Sequence, residues 1–258
     1  MAAKIKVMTF NLRIRVPVDE NNYFDNRTGK ILNLINTEAP DLIGFQEAND
    51  FMVDWLKTNL TDYYIVGHGR DKRMHGEGAH VAFRRDKFDL CGFQEKWLSL
   101  TPNKAASRVD GVGQSTCPRV LSRADLVHKD ATTPISFFNI HTDHMGEMSR
   151  VVECMILAQE MHASPYPCIA TGDFNALPDS QSITLLLENC KDIGVIEATS
   201  EIAGSFHHFK GDCGNYKIDY IFTNLPCDVK ESYGIPDDDS CGHYYSDHNA
   251  LCAFVEVE

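Results

Sequence analysis

The sequence predicts an α/β chain of the α+β type, with two packed sheets rather than one doubly wound parallel sheet. Two observations carry this. Strand-like and helix-like segments interleave along the chain, yet strands outnumber helices, and the consecutive strands in its middle require antiparallel hairpins beside the βα units. Lys4–Phe10 reads as a strand, and Thr28–Asn36 as a helix with apolar residues at Ile31, Leu32, Leu34 and Ile35. Asp41–Phe45 follows Pro40 and reads as a buried strand, and Asp50–Leu60 as an amphipathic helix. Tyr63–Val66, Ala79–Phe83 and Phe88–Trp97 are strands separated by Gly-rich turns, and Arg119–Val127 and Ile135–His141 are two more. Gly146–His162 carries Met148, Val151, Val152, Met155 and Ile156 at helical spacing. Cys168–Thr171 is a strand, Ser182–Leu187 a short helix, and Ile218–Phe222 and Leu251–Val257 are late strands. Neither a linker nor a repeat of fixed period interrupts this order, so one domain over residues 1–258 is expected. Tyr233–Ser246 reads as a loop within it.

The 43% apolar content suits a globular chain with a substantial core. No run approaches the roughly 20 apolar residues of a membrane span. The N-terminus lacks the apolar stretch of a signal peptide, and a cytoplasmic location is expected. Nine cysteines without a C-x-x-C pair suggest reduced thiols and argue against a zinc ribbon. A net charge of −13 argues against a broad basic face for nucleic-acid backbones. It shifts the odds toward small substrates without excluding a nuclease, because a metal cleft can differ from the whole surface.

Chemistry is suggested by Thr171-Gly172-Asp173-Phe174-Asn175, directly after the apolar Cys168-Ile169-Ala170. Alternate residues of an extended segment point the same way, so Asp173 and Asn175 can face one spot; an Asx turn is the plainer reading. Four other strands end alike, at Asn11, at Gln46-Glu47, at His141-Thr142-Asp143-His144 and around Asp219, and Ser246-Asp247-His248-Asn249 precedes the last strand. Strand ends at one rim of a sandwich converge. The inventory Asn11, Glu47, His141, Asp173, Asn175, Asp219, Asp247 and His248 is rich in oxygen ligands and has no thiolate, which suits Mg²⁺ or Mn²⁺ better than Zn²⁺.

These fragments, in this order from Thr9-Phe10-Asn11 to Ser246-Asp247-His248, resemble the endonuclease/exonuclease/phosphatase superfamily, the deoxyribonuclease-like metal-dependent phosphoesterases. The His141–His144 segment with Arg150 downstream looks like the compact bacterial-type members, as do Gly69-Arg70-Asp71 and Gly76-Glu77-Gly78. Ile140 departs from the threonine of that pattern, at a position expected to point inward. The resemblance implies a four-layer sandwich of two mixed, largely antiparallel sheets packed face to face and flanked by helices. It implies a metal held by Glu47, Asn11 and Asp247, which would polarise a phosphoryl oxygen. Asp173 would orient or deprotonate the attacking water, and Asn175 would hold water or phosphate in line. His248 would contact the scissile phosphate with Asp219 fixing its tautomer, and His141 would bind from the opposite side. Arg150, Asp143, His144 and His207 are candidate substrate contacts; a solvated loop is the alternative for Asp143 and His144, and a surface role for His207 and His208.

The implied activity is hydrolysis of a phosphodiester or phosphomonoester by direct water attack, with nucleic acid as the alternative substrate. A catalytically silent phospho-ligand scaffold is the alternative from another class. A zinc hydrolase lacks H-x-x-x-H or paired-Cys spacing. A small phosphate ester is favoured over duplex DNA, and a monomer without a protein partner is expected. Tyr23, Phe24, Phe206, Tyr244 and Tyr245 fall in candidate rim segments, where they stack on substrate or pack loops.

Overall fold

The structure, a computed structural model, describes residues 2–258. The chain runs β1 (Ala3–Asn11), α1 (Phe24–Glu38), β2 (Leu42–Ala48), α2 (Asp50–Asn59), β3 (Tyr63–Val66), β4 (Gly78–Arg84), β5 (Phe88–Trp97), β6 (Val120–His128), β7 (Ile135–His141), α3 (Glu147–Ala163), β8 (Cys168–Asp173), α4 (Gln181–Asn189), β9 (Ile196–Glu197), β10 (Asp219–Thr223), β11 (Tyr233–Gly234) and β12 (Leu251–Val257). Every strand and helix read from the sequence is present. The added strands are β9 and β11, two residues each and too short for any periodicity to show, and short 3-10 turns form at Pro17–Asn22, Lys191–Ile193 and Val229–Glu231.

Two six-stranded sheets form, in the orders β11-β12-β1-β2-β4-β3 and β5-β6-β7-β8-β10-β9. Each contains one parallel pair, β1 with β2 and β7 with β8. A parallel pair requires a crossover, and α1 and α3 supply it. The other pairings are antiparallel. β1 lies against β8 and β2 against β7 across the sandwich. The C-terminal ends of all four parallel strands therefore open at one rim.

Three apolar clusters make the four layers. Ile5 and Val7 of β1 join Leu42, Phe137, Ile169 and Ile221 between the sheets. Met8 and Phe10 point the other way, onto Ile31, Ile35, Met52 and Leu56 of α1 and α2. On the second sheet Phe138, Ile140 and Ala170 meet Leu157, Met161, Ile183 and Leu186 of α3 and α4. Central strands are thus buried on both faces, which is why their sequences run apolar without alternation. Ile140 is buried on the helix side, away from the rim, as expected.

α1 begins at Phe24, ahead of the helical pattern that starts with Ile31. Its first turn is held by tertiary contacts. Phe24 packs edge-on against Trp55 at 5.5 Å, and the buried Arg27 guanidinium donates to the carbonyls of Leu12, Arg13, Asn22 and Tyr245. Arg27 thereby ties the exit of β1 to the loop that carries Asp247.

Toward the rim the space between the sheets turns polar. Asn139 donates to the carbonyls of Phe45 (2.8 Å) and His80 (2.9 Å), and its own Oδ1 accepts from Gln46 (2.7 Å) and Thr171 (3.1 Å). This staple brings the sheets so close at Gly44 that a Cβ there would stand 2.1 Å from Thr171 Oγ1 and 2.5 Å from Asn139 Oδ1. Gly44→Ala is expected to destabilise the protein by about 1–3 kcal/mol through overpacking, measured as a fall in the denaturant midpoint at unchanged m-value.

Candidate active site

The rim collects the last residues of the parallel strands. Asp173 closes β8 in register with His141 of β7 on one side and Asp219 of β10 on the other. Asn11 closes β1 and donates through Nδ2 to Asp173 Oδ2 (2.9 Å) and Glu47 Oε1 (3.2 Å), while its Oδ1 accepts from the Arg13 N–H (2.9 Å). It therefore turns nitrogen, not oxygen, toward the carboxylates. This differs from the expected metal ligand, because flipping the amide would set its NH₂ against the Arg13 N–H. Asn11 here spaces and orients two acids.

Glu47 reaches the cleft through an irregularity. Continued alternation would send it to the helix side with Ile43 and Phe45. The register against β4 instead slips between Phe45 and Ala48, and Glu47 takes a positive φ of 62°. A bulge of this kind re-aims a side chain, and the left-handed backbone is a strain typical of functional positions. The Glu47 carboxylate accepts from the Ile14 N–H at 2.8 Å.

Asn175 also departs from simple alternation. It lies past the strand with φ 46°, donating its backbone N–H to Asp173 Oδ1 (2.8 Å) and its amide to the Thr142 carbonyl (3.0 Å). His248 stands between acids. Its Nδ1 is 2.8 Å from Asp219 Oδ2, which also accepts from Ser205 Oγ (2.7 Å), and its Nε2 is 3.7 Å from Asp173 and 3.9 Å from Asp247. His141 Nε2 lies 3.5 Å from Asp173 Oδ2.

Electrostatics separates the two imidazoles. Burial alone would lower the pKa of His248, but Asp219, Asp247 and Asp173 outweigh it and push it up to about 10. His141 is held well below its ordinary value by burial and by Arg119 and Arg70. One ring is thus a charged donor and the other neutral at pH 7. Burial, reinforced by Asp219, raises Asp173 to about 7. Burial raises Asp247 as well. For Glu47 burial also acts upward, but the Ile14 N–H, Arg13 and His248 together bring its pKa below the usual range. Among the described residues, Glu47, His141 and Asp173, and separately Asp173, Asp219 and His248, place ligand atoms within 4.8 Å of one another.

The cleft above these groups encloses about 350 Å³. Phe206, 4.7 Å from the His248 ring, forms one wall with Tyr216, and Arg70, Arg119 and His144 form another. Of the expected substrate contacts, His144 lines the cleft and three do not. Arg150 is occupied by Glu147 (2.7 Å) and the Asp143 carbonyl (3.0 Å). Asp143 accepts from the N–H groups of Ser115, Met145 and Gly146 and so ties the neighbouring loops together. His207 packs on Tyr244 and accepts from Gly211, leaving the cleft to His208. Arg13, Glu77 and Arg119 line the cleft without having been assigned from the sequence. Arg70 and Glu77 lie in segments already matched to the family pattern, whereas Arg119 only precedes an apolar strand and carries no local signal.

Glu95 docks the loop that delivers Arg70 and Glu77. Its carboxyl accepts from Ser122 Oγ and the His68 N–H (both 3.0 Å), beside a bond from Trp97 Nε1 to the Arg70 carbonyl (2.8 Å). Burial raises its pKa from 4.5 to about 8. Between those values the native state holds a proton that the unfolded chain has lost, so this group makes stability fall as pH rises. Glu95→Gln is expected to remove that dependence: the Tm difference, variant minus wild type, should widen from pH 5 to pH 9 in thermal melts.

The family model described as Endonuclease/Exonuclease/phosphatase family matches residues 8–248. A structure of an endonuclease/exonuclease/phosphatase from Bacteroides vulgatus is similar at TM-score 0.86 and 25% identity, covering 99% of this chain and 100% of that one. A Bacteroides thetaiotaomicron mannosyl-6-phosphatase has TM-score 0.82 and 24% identity, covering 98% and 100%. An uncharacterized protein of Acanthamoeba polyphaga mimivirus is 26% identical over 159 residues, which spans 59% of each chain.

Proposed function

The chain belongs to the Endonuclease/Exonuclease/phosphatase family, and on that premise we propose that it hydrolyses a small phosphate ester with the help of a divalent cation. The observation that carries this reading is His248, bonded to Asp219 through one ring nitrogen and facing Asp173 and Asp247 with the other. That arrangement offers a proton donor beside a carboxylate able to take a proton from water.

Glu47, Asp173 and Asp247 face Arg13 and His248 at the rim, none of the three in a close ion pair with them, and such a set of buried carboxylates is costly unless paired. Oxygen donors of this kind fit Mg²⁺ or Mn²⁺. Glu47 and Asp247 would hold the ion, which when bound offsets charge developing on phosphoryl oxygens. Asn11 keeps Glu47 and Asp173 at a fixed spacing. Asp173 orients the attacking water and accepts its proton, with a pKa near the working pH as general bases require. Asn175 holds water or phosphate in line. His248, kept charged by Asp219, donates to the phosphate, and neutral His141 contacts it from the other side.

The net charge of −13 favours a small ester over duplex DNA. The mannosyl-6-phosphatase of similar fold agrees with that choice. Among the described residues no helix is long and apolar enough to cross a membrane; a cytoplasmic monomer of one domain completes the reading. The test is a panel of phosphomonoesters, phosphodiesters and oligonucleotides assayed with Mg²⁺ and Mn²⁺. Turnover of small esters that exceeds turnover of duplex DNA is expected. Turnover of duplex DNA alone, or none with either metal, would overturn the proposal.

A further inference from the structure

Arg119 is 2% exposed, yet it lines the cleft. Its Nη2 is 2.8 Å from His144 Nδ1, but Nε and Nη1 have no hydrogen-bond partner among the described residues. The nearest carboxylate oxygen to Nε, on Asp143, is 3.9 Å away, beyond hydrogen-bond reach. A buried guanidinium with two unfilled donors is costly. Burial, together with the nearby Arg70, accordingly lowers its pKa. Glu153, Glu77 and Asp143 offset its charge only from a distance, Glu77 being paired with Arg70 at 2.8 Å, and His144 is held below its ordinary pKa chiefly by burial and Arg119. The groups that hold the metal, the attacking water and the reacting phosphate in the reading above are Glu47, Asp247, Asp173, Asn175, His141 and His248, so this cation is additional to them.

We propose that Arg119, supported by Arg70 and His144, forms a second oxyanion subsite, taking a carboxylate or phosphate carried by the substrate next to its scissile phosphate. A guanidinium matches both groups, since its parallel N–H donors fit two oxygens of either. Nε and Nη1 are closed to solvent in this structure, so the guanidinium turns toward the cleft to fill them when such a substrate binds. The subsite discriminates by charge number: an ester with one anionic group leaves the donors unpaired, and one with two fills them.

This inference rests on the phosphate-ester reading, and calorimetry keeps the two separable because it needs no turnover. The ligands are propylphosphonate, 3-phosphonopropionate and propane-1,3-diphosphonate, each titrated with and without Mg²⁺ so that metal chelation is read separately. In the wild type at least one of the two doubly anionic ligands is expected to bind about tenfold or more tighter than propylphosphonate, and the better of the two identifies the group preferred. Arg119→Met should bring that ratio to about one. Where the methionine variant fails to fold by circular dichroism, Arg119→Lys decides: a reduced ratio supports the fork and an unchanged ratio overturns it. No advantage in the wild type, or a ratio that survives in Arg119→Met, also overturns the subsite. Failure of propylphosphonate to bind at all counts instead against the phosphate-ester reading.

Discussion

His248→Ala is expected to lower turnover by about 10²–10⁴-fold, the usual contribution of a positioned acid–base group, with the folded state retained. The argument is geometric before it is electrostatic. The ring is fixed by Asp219 at 2.8 Å, and its other nitrogen faces the two acids at the mouth of the cleft. Asp219 acts through that ring, so Asp219→Asn should cost less activity and change its pH dependence. Asp219 is the leading charge holding His248 up to about 10. Without it the ring loses its proton at lower pH, and the alkaline limb of the rate profile moves down. A purely structural role for Asp219 would lower the rate without moving that limb. Full activity in His248→Ala would remove the histidine from the mechanism.

Glu47→Ala should abolish metal-dependent turnover while leaving the thermal transition cooperative. Glu47 is the carboxylate that the β2 irregularity turns out of the helix-facing layer, at φ 62° and with its pKa held low despite burial. A strained backbone that exists only to aim one carboxylate has little structural purpose. Alanine keeps the Cβ and so leaves that backbone strain unchanged, while the sheet loses no packed side chain, so stability and activity should separate. Turnover reads the first half of the claim and a thermal melt the second, and isothermal titration with Mn²⁺ reads the metal site itself; unchanged metal affinity in the variant would contradict the assignment.

Both sheets were legible because their central strands are apolar on both faces, and α3 because its apolar spacing runs over several turns. β9 and β11 were not, since two residues carry no period. The start of α1 escaped because Phe24 and Arg27 are held by Trp55 and by distant carbonyls, which no local pattern encodes. Within the site, Glu47, His141, Asp173, Asp219, Asp247 and His248 meet at one rim, at strand ends where the motifs sit. Asn11 lies at that rim with its NH₂ toward the carboxylates, an orientation the sequence does not carry because it depends on the Arg13 N–H. Arg150 was drawn toward the cleft by its likeness to the arginine that follows the His141–His144 segment in the family pattern, and Glu147 one turn earlier claims it. Arg119 illustrates the converse: its importance lies in donors left without partners, a property that exists only in three dimensions.

The most direct test is turnover of bis-p-nitrophenyl phosphate and p-nitrophenyl phosphate by EDTA-treated wild-type protein before and after adding Mg²⁺ or Mn²⁺. Negligible hydrolysis in EDTA, restored by either ion and absent in Glu47→Ala under the same conditions, is the predicted result. Equal hydrolysis with and without metal, or no hydrolysis of either ester after metal is restored, would contradict a metal-dependent phosphoesterase at this rim.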